Sequence, residues 1–237
     1  MSDEIVMRLM LWLVAAMQIS IVVPMAVVWW RRQHFSPAVK LLSWYVYLSA
    51  AGAAGARFLY PAVFATNYGF SIGFNLGKIV LFGALYHQIL TLPKARWAVL
   101  ALSSAAVVGI FSAVSYNFYL AVSISRVVQC ALLAGFALAY LEQTLNRPTN
   151  CPATHDPLWL LSVGQLLYSA GTVTAFSLEF LPTTNFIYYV KFSCVSVSGL
   201  VFNSLLTLAF LRAKLADSPV WEAVGIKKGE TKQLAGS

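Results

Sequence analysis

The sequence predicts an all-α, polytopic membrane protein with seven transmembrane helices, its N-terminus outside the cell and its C-terminus in the cytoplasm. Three observations lead to this prediction: an apolar composition, a series of apolar segments of spanning length, and a one-sided distribution of basic residues. Of the 237 residues, 59% are hydrophobic and 10% are charged. Soluble domains carry about 25% charged residues, so this composition is typical of a protein that resides in a bilayer.

Seven apolar segments follow one another, each near the ~20 residues that a helix needs to cross a bilayer. These predicted spans 1 to 7 are approximately Val6–Trp30, Ala38–Tyr60, Phe70–Leu90, Trp97–Tyr116, Phe118–Leu141, Leu158–Leu181 and Phe186–Leu211. The first is too long for a secretory signal and lacks a basic start, so we expect it to be retained. The chain therefore divides into a transmembrane domain, residues 1–214, and a short cytoplasmic tail, residues 215–237.

The basic residues outside the spans indicate the orientation. Nearly all of them occupy the turns of one side and the tail: Arg31, Arg32, Lys40, Lys94, Arg96, Arg147, Arg212, Lys214, Lys227, Lys228 and Lys232. The turns of the other side contain neither Lys nor Arg. By the positive-inside rule, the basic side faces the cytoplasm. We expect a multi-pass protein of a bacterial inner membrane, with lipids as its surroundings.

A similarity between two stretches suggests an internal repeat. "LLSWYVYLSAAGAAGARFLYP…TN" (residues 41–67) resembles "LLSVGQLLYSAGTVTAFSLEFLPTTN" (residues 160–185). A 3+1+3 arrangement would pair spans 1–3 with spans 5–7 in the same orientation, around a pseudo-axis along the membrane normal. The alternative is coincidence among small residues in apolar sequence.

Several cations lie inside the predicted spans, all in the outer half or near the centre. At about 1.5 Å per residue, Arg57 and Glu179 lie near the outer boundary, Lys191 slightly deeper, and Lys78 and Arg126 near the midplane. Each Lys or Arg at a helix centre costs about 2.5–3.5 kcal/mol on insertion scales. Because Glu179 cannot neutralise them all, we expect these cations to point into the bundle, toward water, acceptors or an anion.

Polar residues at helical spacing predict a lined cavity around these cations. The candidate ligand-binding residues are Lys78, Arg126, Lys191, Arg57, Glu179, Asn75, Gln129, Gln165, Tyr168, Thr172 and Tyr188. Other interpretations stay open for some of them. Arg57 and Glu179 fit a simple interfacial ion pair, and Lys191 fits a snorkelling side chain. For Lys78 and Arg126 the alternative is a structural role, with hydrogen bonds to helix carbonyls.

The residues that common catalytic and metal sites require are not present in a recognisable pattern. The sequence contains no phosphate-cradling Gly loop and no HExxH zinc helix. Cys130, Cys151 and Cys194 form no closely spaced pair, which predicts neither a disulfide framework nor a metal cluster. We therefore expect that the protein is not an enzyme and that it has neither a cofactor nor a nucleic-acid partner. Lys191 in the last span would suit a microbial rhodopsin, but span 3 carries Lys78 where an acidic counter-ion would be needed.

Three segments, "FNLGKIVLFGALYHQIL", "HDPLWLLSVGQLLYSAG" and "FNSLLTLAFL", resemble a poorly characterised group of bacterial seven-helix inner-membrane proteins. The likeness covers spans 2–3 and 6–7, and members of the group are often encoded beside sensor histidine kinases. The resemblance implies a sensory or accessory role. In that group an acid often stands near the position of Lys78, so no site residue is transferred.

Three functions fit these observations. The first is a receptor that binds an anionic small molecule or lipid headgroup from outside and signals to a separate cytoplasmic or membrane partner, because the inner loops are too short to hold an output domain. The second is an anion or small-solute carrier of 3+1+3 architecture, which sugar-exporting SWEET proteins and their relatives share. The proline-glutamine signature of those relatives is absent from this sequence. The third is a non-catalytic subunit of a membrane complex.

Overall fold

The regular structure of the chain is helical throughout the part that the structure describes. This computed structural model describes residues 3–55, 68–146, 156–177 and 185–216. The helices are α1 (Asp3–Ser20), α2 (Val22–Arg31), α3 (Pro37–Ala54), α4 (Tyr68–Ile89), α5 (Pro93–Tyr116), α6 (Phe118–Leu145), α7 (Pro157–Ser177) and α8 (Asn185–Ala216). A short 3₁₀ turn, Arg32–His34, follows α2. Arg57, Glu179 and the tail beyond Ala216 lie outside the described residues.

The helices begin where the sequence places prolines and short polar residues. Pro37, Pro93 and Pro157 each stand in the first turn of a helix, where a missing N–H is tolerated. Asn117 caps α6, its Oδ1 accepting hydrogen bonds from the backbone N–H groups of Tyr119 and Leu120 at 3.0 and 3.1 Å. Such caps satisfy backbone donors that the helix itself leaves unpaired.

The chain is a multi-pass membrane protein. In the described ranges, five helical stretches are long and apolar enough to cross a bilayer: Glu4–Arg31, Tyr68–Ile89, Pro93–Tyr116, Phe118–Leu145 and Ile187–Ala213. The first combines α1 and α2, which only Ile21 separates, and a hydrogen bond of 3.2 Å from Met25 N to Ile21 O continues the helical ladder there. The prediction of an all-α, polytopic fold is therefore confirmed.

The helices pack as a ring. In order around it, α1 and α2 are followed by α3, α4, α6, α7 and α8, and α8 packs back against α1 and α2. The remaining helix, α5, packs outside this ring against α4 and α6. In a bilayer such contacts depend on close packing and polar contacts, because lipid tails are as apolar as the side chains.

Contacts between helix termini show that consecutive helices alternate in direction. Arg31 Nη1 donates a hydrogen bond of 3.0 Å to the carbonyl of Leu211, joining the ends of α2 and α8. Thr91, between α4 and α5, donates from its backbone N–H to Gln143 Oε1 near the end of α6 at 3.0 Å. Tyr140 donates to Asp156 at the start of α7. We call this the basic end, because Arg31, Arg32, Lys40, Lys94, Arg96 and Arg212 all belong to it.

Aromatic side chains fill the half of the bundle next to the basic end. Tyr45 packs edge-on against Phe82 with ring centroids 5.3 Å apart, and Phe82 and Tyr86 follow at 6.3 Å. Tyr86 lies 6.3 Å from Tyr140, and its hydroxyl pairs with Ser162 Oγ at 3.0 Å. We call this region the closed half. We call the opposite half of the bundle, away from the basic end, the cavity half.

Candidate functional site

Lys78 lies in the interior of the bundle, as its cost in lipid requires, and aromatic rings surround its ammonium group. The residue is 1% exposed. Its Nζ lies 4.2 Å from the ring centroid of Tyr168, 5.3 Å from Tyr45, 5.5 Å from Phe74 and 5.8 Å from Phe202. Among the described residues, Nζ has no hydrogen-bond partner. We call these four rings the aromatic cage.

The aromatic cage accounts for a charge that no described acid neutralises. A single desolvated cation–π contact contributes about 2 kcal/mol or more, whereas insertion of a lysine at a helix centre costs about 2.5–3.5 kcal/mol. Four rings on one ammonium group are therefore sufficient to offset that cost. The acids of the described helices, Asp3, Glu4, Glu142 and Asp156, all lie at or near helix ends.

Other predicted site residues lie buried near Lys78, where α4, α6 and α7 meet. Asn75 Nδ2 donates to Ser125 Oγ at 3.0 Å, and Gln165 Nε2 donates to Ser169 Oγ at 3.1 Å. The Cys130 thiol lies close to Lys78. The remaining buried polar residues of this group are Gln129 and Thr172, exposed by 3% and 5%. These residues form a buried polar layer beside Lys78.

A cavity of about 260 Å³ borders the cage. It extends from the first turn of α4 to the last turn of α1 and the middle of α8, and so belongs to the cavity half. Its lining residues are Met17, Gln18, Ile21, Tyr45, Ser49, Gly52, Ala53, Phe70, Ser71, Phe74, Arg126, Tyr168, Gly199, Phe202 and Asn203. All four rings of the cage therefore also line the cavity, whereas Lys78 is not among its described lining residues.

Arg126 is the charged residue among the described residues of the cavity wall. Its Nε and Nη2 both donate to one oxygen, Ser71 Oγ, at 3.4 and 3.3 Å. These distances are at the long end for such hydrogen bonds. The guanidinium also lies 5.2 Å from the ring centroid of Phe176. The Nε–Nη2 edge is the planar pair of donors that binds carboxylates bidentately, and here it is only weakly satisfied by a neutral hydroxyl.

Lys191 and Tyr188 on α8 are placed differently. Lys191 Nζ lies 5.5 Å from the centroid of Phe176 and 5.9 Å from that of Phe192, so it shares the Phe176 ring with Arg126. Tyr188 is 47% exposed and packs on Phe192 at 4.5 Å. Neither belongs to the cavity lining. The structure thus brings Arg126 and Tyr168 to the cavity, Lys78 behind it, and Lys191 beside it.

The sequence prediction missed the contribution of α1 to the cavity and the particular residues by which α3 and α8 line it. Tyr45, Ser49 and Gly52 are spaced four and three residues apart on α3, which is a helical stripe that periodicity could have found. Gln18 on α1 is a lone amide in an apolar segment, and such a polar residue could also have indicated a cavity-facing position. Asn203 on α8 donates to Ser20 Oγ of α1 at 2.7 Å, a pairing that sequence alone does not indicate.

The fold and the site define a class: a multi-pass helical membrane protein with a cavity of small-ligand size between its helices. The cavity wall can bind and orient a ligand through one cation, several rings and a few hydroxyl and amide groups. In the described part of the chain, no group of three His, Cys, Asp or Glu residues is arranged to hold a metal ion. Comparison of the chain with models of known families, with curated proteins and with solved structures finds no match.

Proposed function

We propose that this protein is a seven-span receptor of the bacterial inner membrane that binds a small anion in its cavity and signals to a partner at the cytoplasmic face. The observation that carries the proposal is the Arg126 edge. It presents two N–H donors at the wall of a ligand-sized cavity, where a hydroxyl at 3.3–3.4 Å is their described partner. A bound anion would supply shorter, charge-assisted hydrogen bonds.

The helix arrangement supports seven spans and the proposed orientation. Helices α3 and α7 occupy full places in the ring between helices that are long enough to cross the membrane. With α1 and α2 taken as one span, the total is seven. The basic end gathers the cationic turns, so the positive-inside rule assigns it to the cytoplasm. The cavity half then faces outward.

The ring contacts also fit a 3+1+3 repeat. Exchange of spans 1, 2 and 3 with spans 5, 6 and 7 turns the contact of α1 with α8 into the contact of α6 with α4. The same exchange turns the packing of α3 on α2 and α4 into that of α7 on α6 and α8. We therefore include in the proposal an internal repeat that relates spans 1–3 to spans 5–7.

The closed half favours a receptor over a carrier. Carriers need a polar path through both halves of the bundle. Below the cavity, the described core instead contains the contacting rings of Phe82, Tyr86 and Tyr140. This series of rings begins at Tyr45 in the cavity wall and reaches the hydrogen bond from Tyr140 to Asp156 at the basic end. It offers a packed route by which occupancy of the cavity would shift the cytoplasmic ends of α6 and α7.

The complex-subunit hypothesis fits the structure less well. In that hypothesis the intramembrane cations pair with acids of another chain. Lys78, however, is 1% exposed and enclosed by rings of its own chain. Arg126 faces the internal cavity. These two cations are therefore directed toward a ligand space and the interior, not toward a neighbouring subunit.

The proposal predicts binding that depends on Arg126. Purified protein in nanodiscs is titrated with a panel of carboxylates and phosphates while its thermal unfolding is followed. A ligand at about 100-fold its dissociation constant adds about 2.7 kcal/mol of stability. Because charge-assisted hydrogen bonds contribute about 1.5–3 kcal/mol, Arg126→Met should weaken binding about 10- to 100-fold.

A matched control removes the same charge elsewhere on the outer side. Arg8, whose side chain is 72% exposed, pairs with Glu4 at 2.7 Å on the surface. Arg8→Met should leave binding unchanged. Equal loss in both variants, or no anion that stabilises the parent chain, would contradict the receptor. Uptake of a bound anion into liposomes would show that the protein is a carrier and not a receptor.

A further inference from the structure

We propose that the ligand is a small aromatic carboxylate, with one ring system and a short acid group. This inference rests on the function proposed above, because it names the ligand class of the same cavity. The acid group would bind the Nε–Nη2 edge of Arg126 in place of Ser71, and the ring would pack against the aromatic wall.

The aromatic wall is the first argument. Five of the lining residues are aromatic: Tyr45, Phe70, Phe74, Tyr168 and Phe202. Neighbouring rings are tilted by different angles, 73° between Tyr45 and Phe202 and 43° between Tyr168 and Phe202, with both pairs of centroids 5.7 Å apart. Such a wall presents ring faces and ring edges, and a further aromatic ring packs well against either.

Lys78 contributes to this wall from behind. It holds Tyr45, Phe74, Tyr168 and Phe202 within 4.2–5.8 Å of its ammonium group. The rings are therefore positioned by contacts inside the protein before any ligand arrives. A preorganised site loses less conformational entropy on binding than one that must order itself, which favours a flat, rigid ligand over a flexible chain.

The charge of the lining indicates a ligand with a single negative charge. Among the described lining residues Arg126 is the cation, and the polar groups of Gln18, Ser49, Ser71, Asn203 and the two tyrosines are neutral. Lys78 is not among the described lining residues. A carboxylate has two oxygens that match the two donors of the Arg126 edge, whereas a phosphate monoester has more charge than this wall compensates.

The cavity volume limits the size of the ligand. About 260 Å³ lies just below the ~300–1,000 Å³ that pockets for drug-sized molecules occupy. This volume suits one ring system with a short side chain. It does not suit a lipid headgroup together with its acyl chains.

The test compares matched pairs of ligands that differ only in aromaticity or charge. The full-length protein in nanodiscs is titrated calorimetrically with phenylacetate and cyclohexylacetate, with benzoate and cyclohexanecarboxylate, and with indole-3-acetate. Phenylacetamide tests the charge, and inorganic phosphate and glycerol-3-phosphate test the headgroup chemistry. We expect each aromatic acid to bind about 3- to 10-fold more tightly than its saturated partner, and phenylacetamide to bind at least about 10-fold more weakly than phenylacetate.

A variant pair connects this preference to the wall. Phe74→Leu removes one ring of the wall, whereas Phe111→Leu removes a ring that is 59% exposed on α5. The aromatic preference should fall in Phe74→Leu and persist in Phe111→Leu. If Phe74→Leu fails to fold, the ligand pairs measured on the parent chain still decide the question.

The outcomes separate this inference from the receptor itself. The ligand class would be wrong if saturated acids bound as tightly as aromatic ones, or if phosphates bound more tightly. The receptor proposal would still hold if that binding were lost in Arg126→Met. No binding by any of these anions would overturn both proposals.

Discussion

The two halves of the bundle use aromatic side chains in different ways. In the closed half, Phe82, Tyr86, Phe136, Tyr140 and Phe210 are 0–5% exposed and belong to one buried cluster. In the cavity half, rings such as Tyr168 and Phe202 line about 260 Å³ of open space beside Arg126. The difference shows where the protein maximises packing and where it leaves room for a ligand.

Lys78 marks the boundary between the two halves. Its ammonium group contacts rings that face the cavity, such as Tyr168 at 4.2 Å and Phe74 at 5.5 Å. The next turn of α4 carries Phe82, which belongs to the closed half. A cation at this height holds the cage rings by electrostatic attraction to their faces, and so fixes the inner wall of the cavity.

The largest expected effect follows from reversing the charge of Lys78. A carboxylate in its place would meet the negative faces of four rings, so Lys78→Glu should lower the free energy of unfolding by about 3 kcal/mol or more. Lys78→Met should fold, because its thioether also packs well against aromatic rings. Unfolding by SDS in mixed micelles measures both variants. Lys94→Glu, at an exposed position of the basic end, is the control for charge reversal. Equal stability of Lys78→Glu and Lys78→Met would refute the cage.

A smaller effect is expected where α4 and α5 approach closely. A Cβ atom on Gly83 would lie 2.5 Å from Ser103 Oγ, so Gly83→Ala should cost about 1–3 kcal/mol by overpacking. A Cβ atom on Gly109 of α5 would meet no heavy atom within 4 Å, so Gly109→Ala should leave stability unchanged or raise it by up to about 1 kcal/mol through the higher helix propensity of alanine. The same SDS titration compares them. If the two variants were equally stable, the close packing of this region would be wrong.

Much of the fold could be predicted from the sequence because it depends on local properties. Apolar length indicates the spans, and prolines and Asn117 mark the helix starts. The structure adds what local properties do not contain, such as the short break at Ile21 between α1 and α2. The order of helices around the ring also depends on which faces fit together, and hydropathy carries no information about it.

The candidate site could be predicted only in part. Helical spacing predicted a common face of α7 for Gln165 and Thr172, and both are at most 5% exposed. The aromatic cage was not predicted, because rings in apolar spans have no distinctive spacing and its members come from four helices. The contact between Arg126 and Ser71 joins residues 55 positions apart, which no local pattern reveals.

The most direct test of an outward cavity with an anion-binding arginine is the labelling of a cysteine beside Arg126. Ser71→Cys places a thiol where the Arg126 donors now meet a hydroxyl at 3.3 Å. In proteoliposomes of known orientation, the membrane-impermeant reagents 2-sulfonatoethyl and 2-(trimethylammonium)ethyl methanethiosulfonate are applied from outside, with the parent chain as background. We predict that Arg126 favours the anionic reagent: the ratio of its reaction rate to that of the cationic reagent should be several-fold higher with Arg126 present than in the Arg126→Met variant. Reaction only from the inside, or a charge preference that Arg126→Met leaves unchanged, would contradict the account.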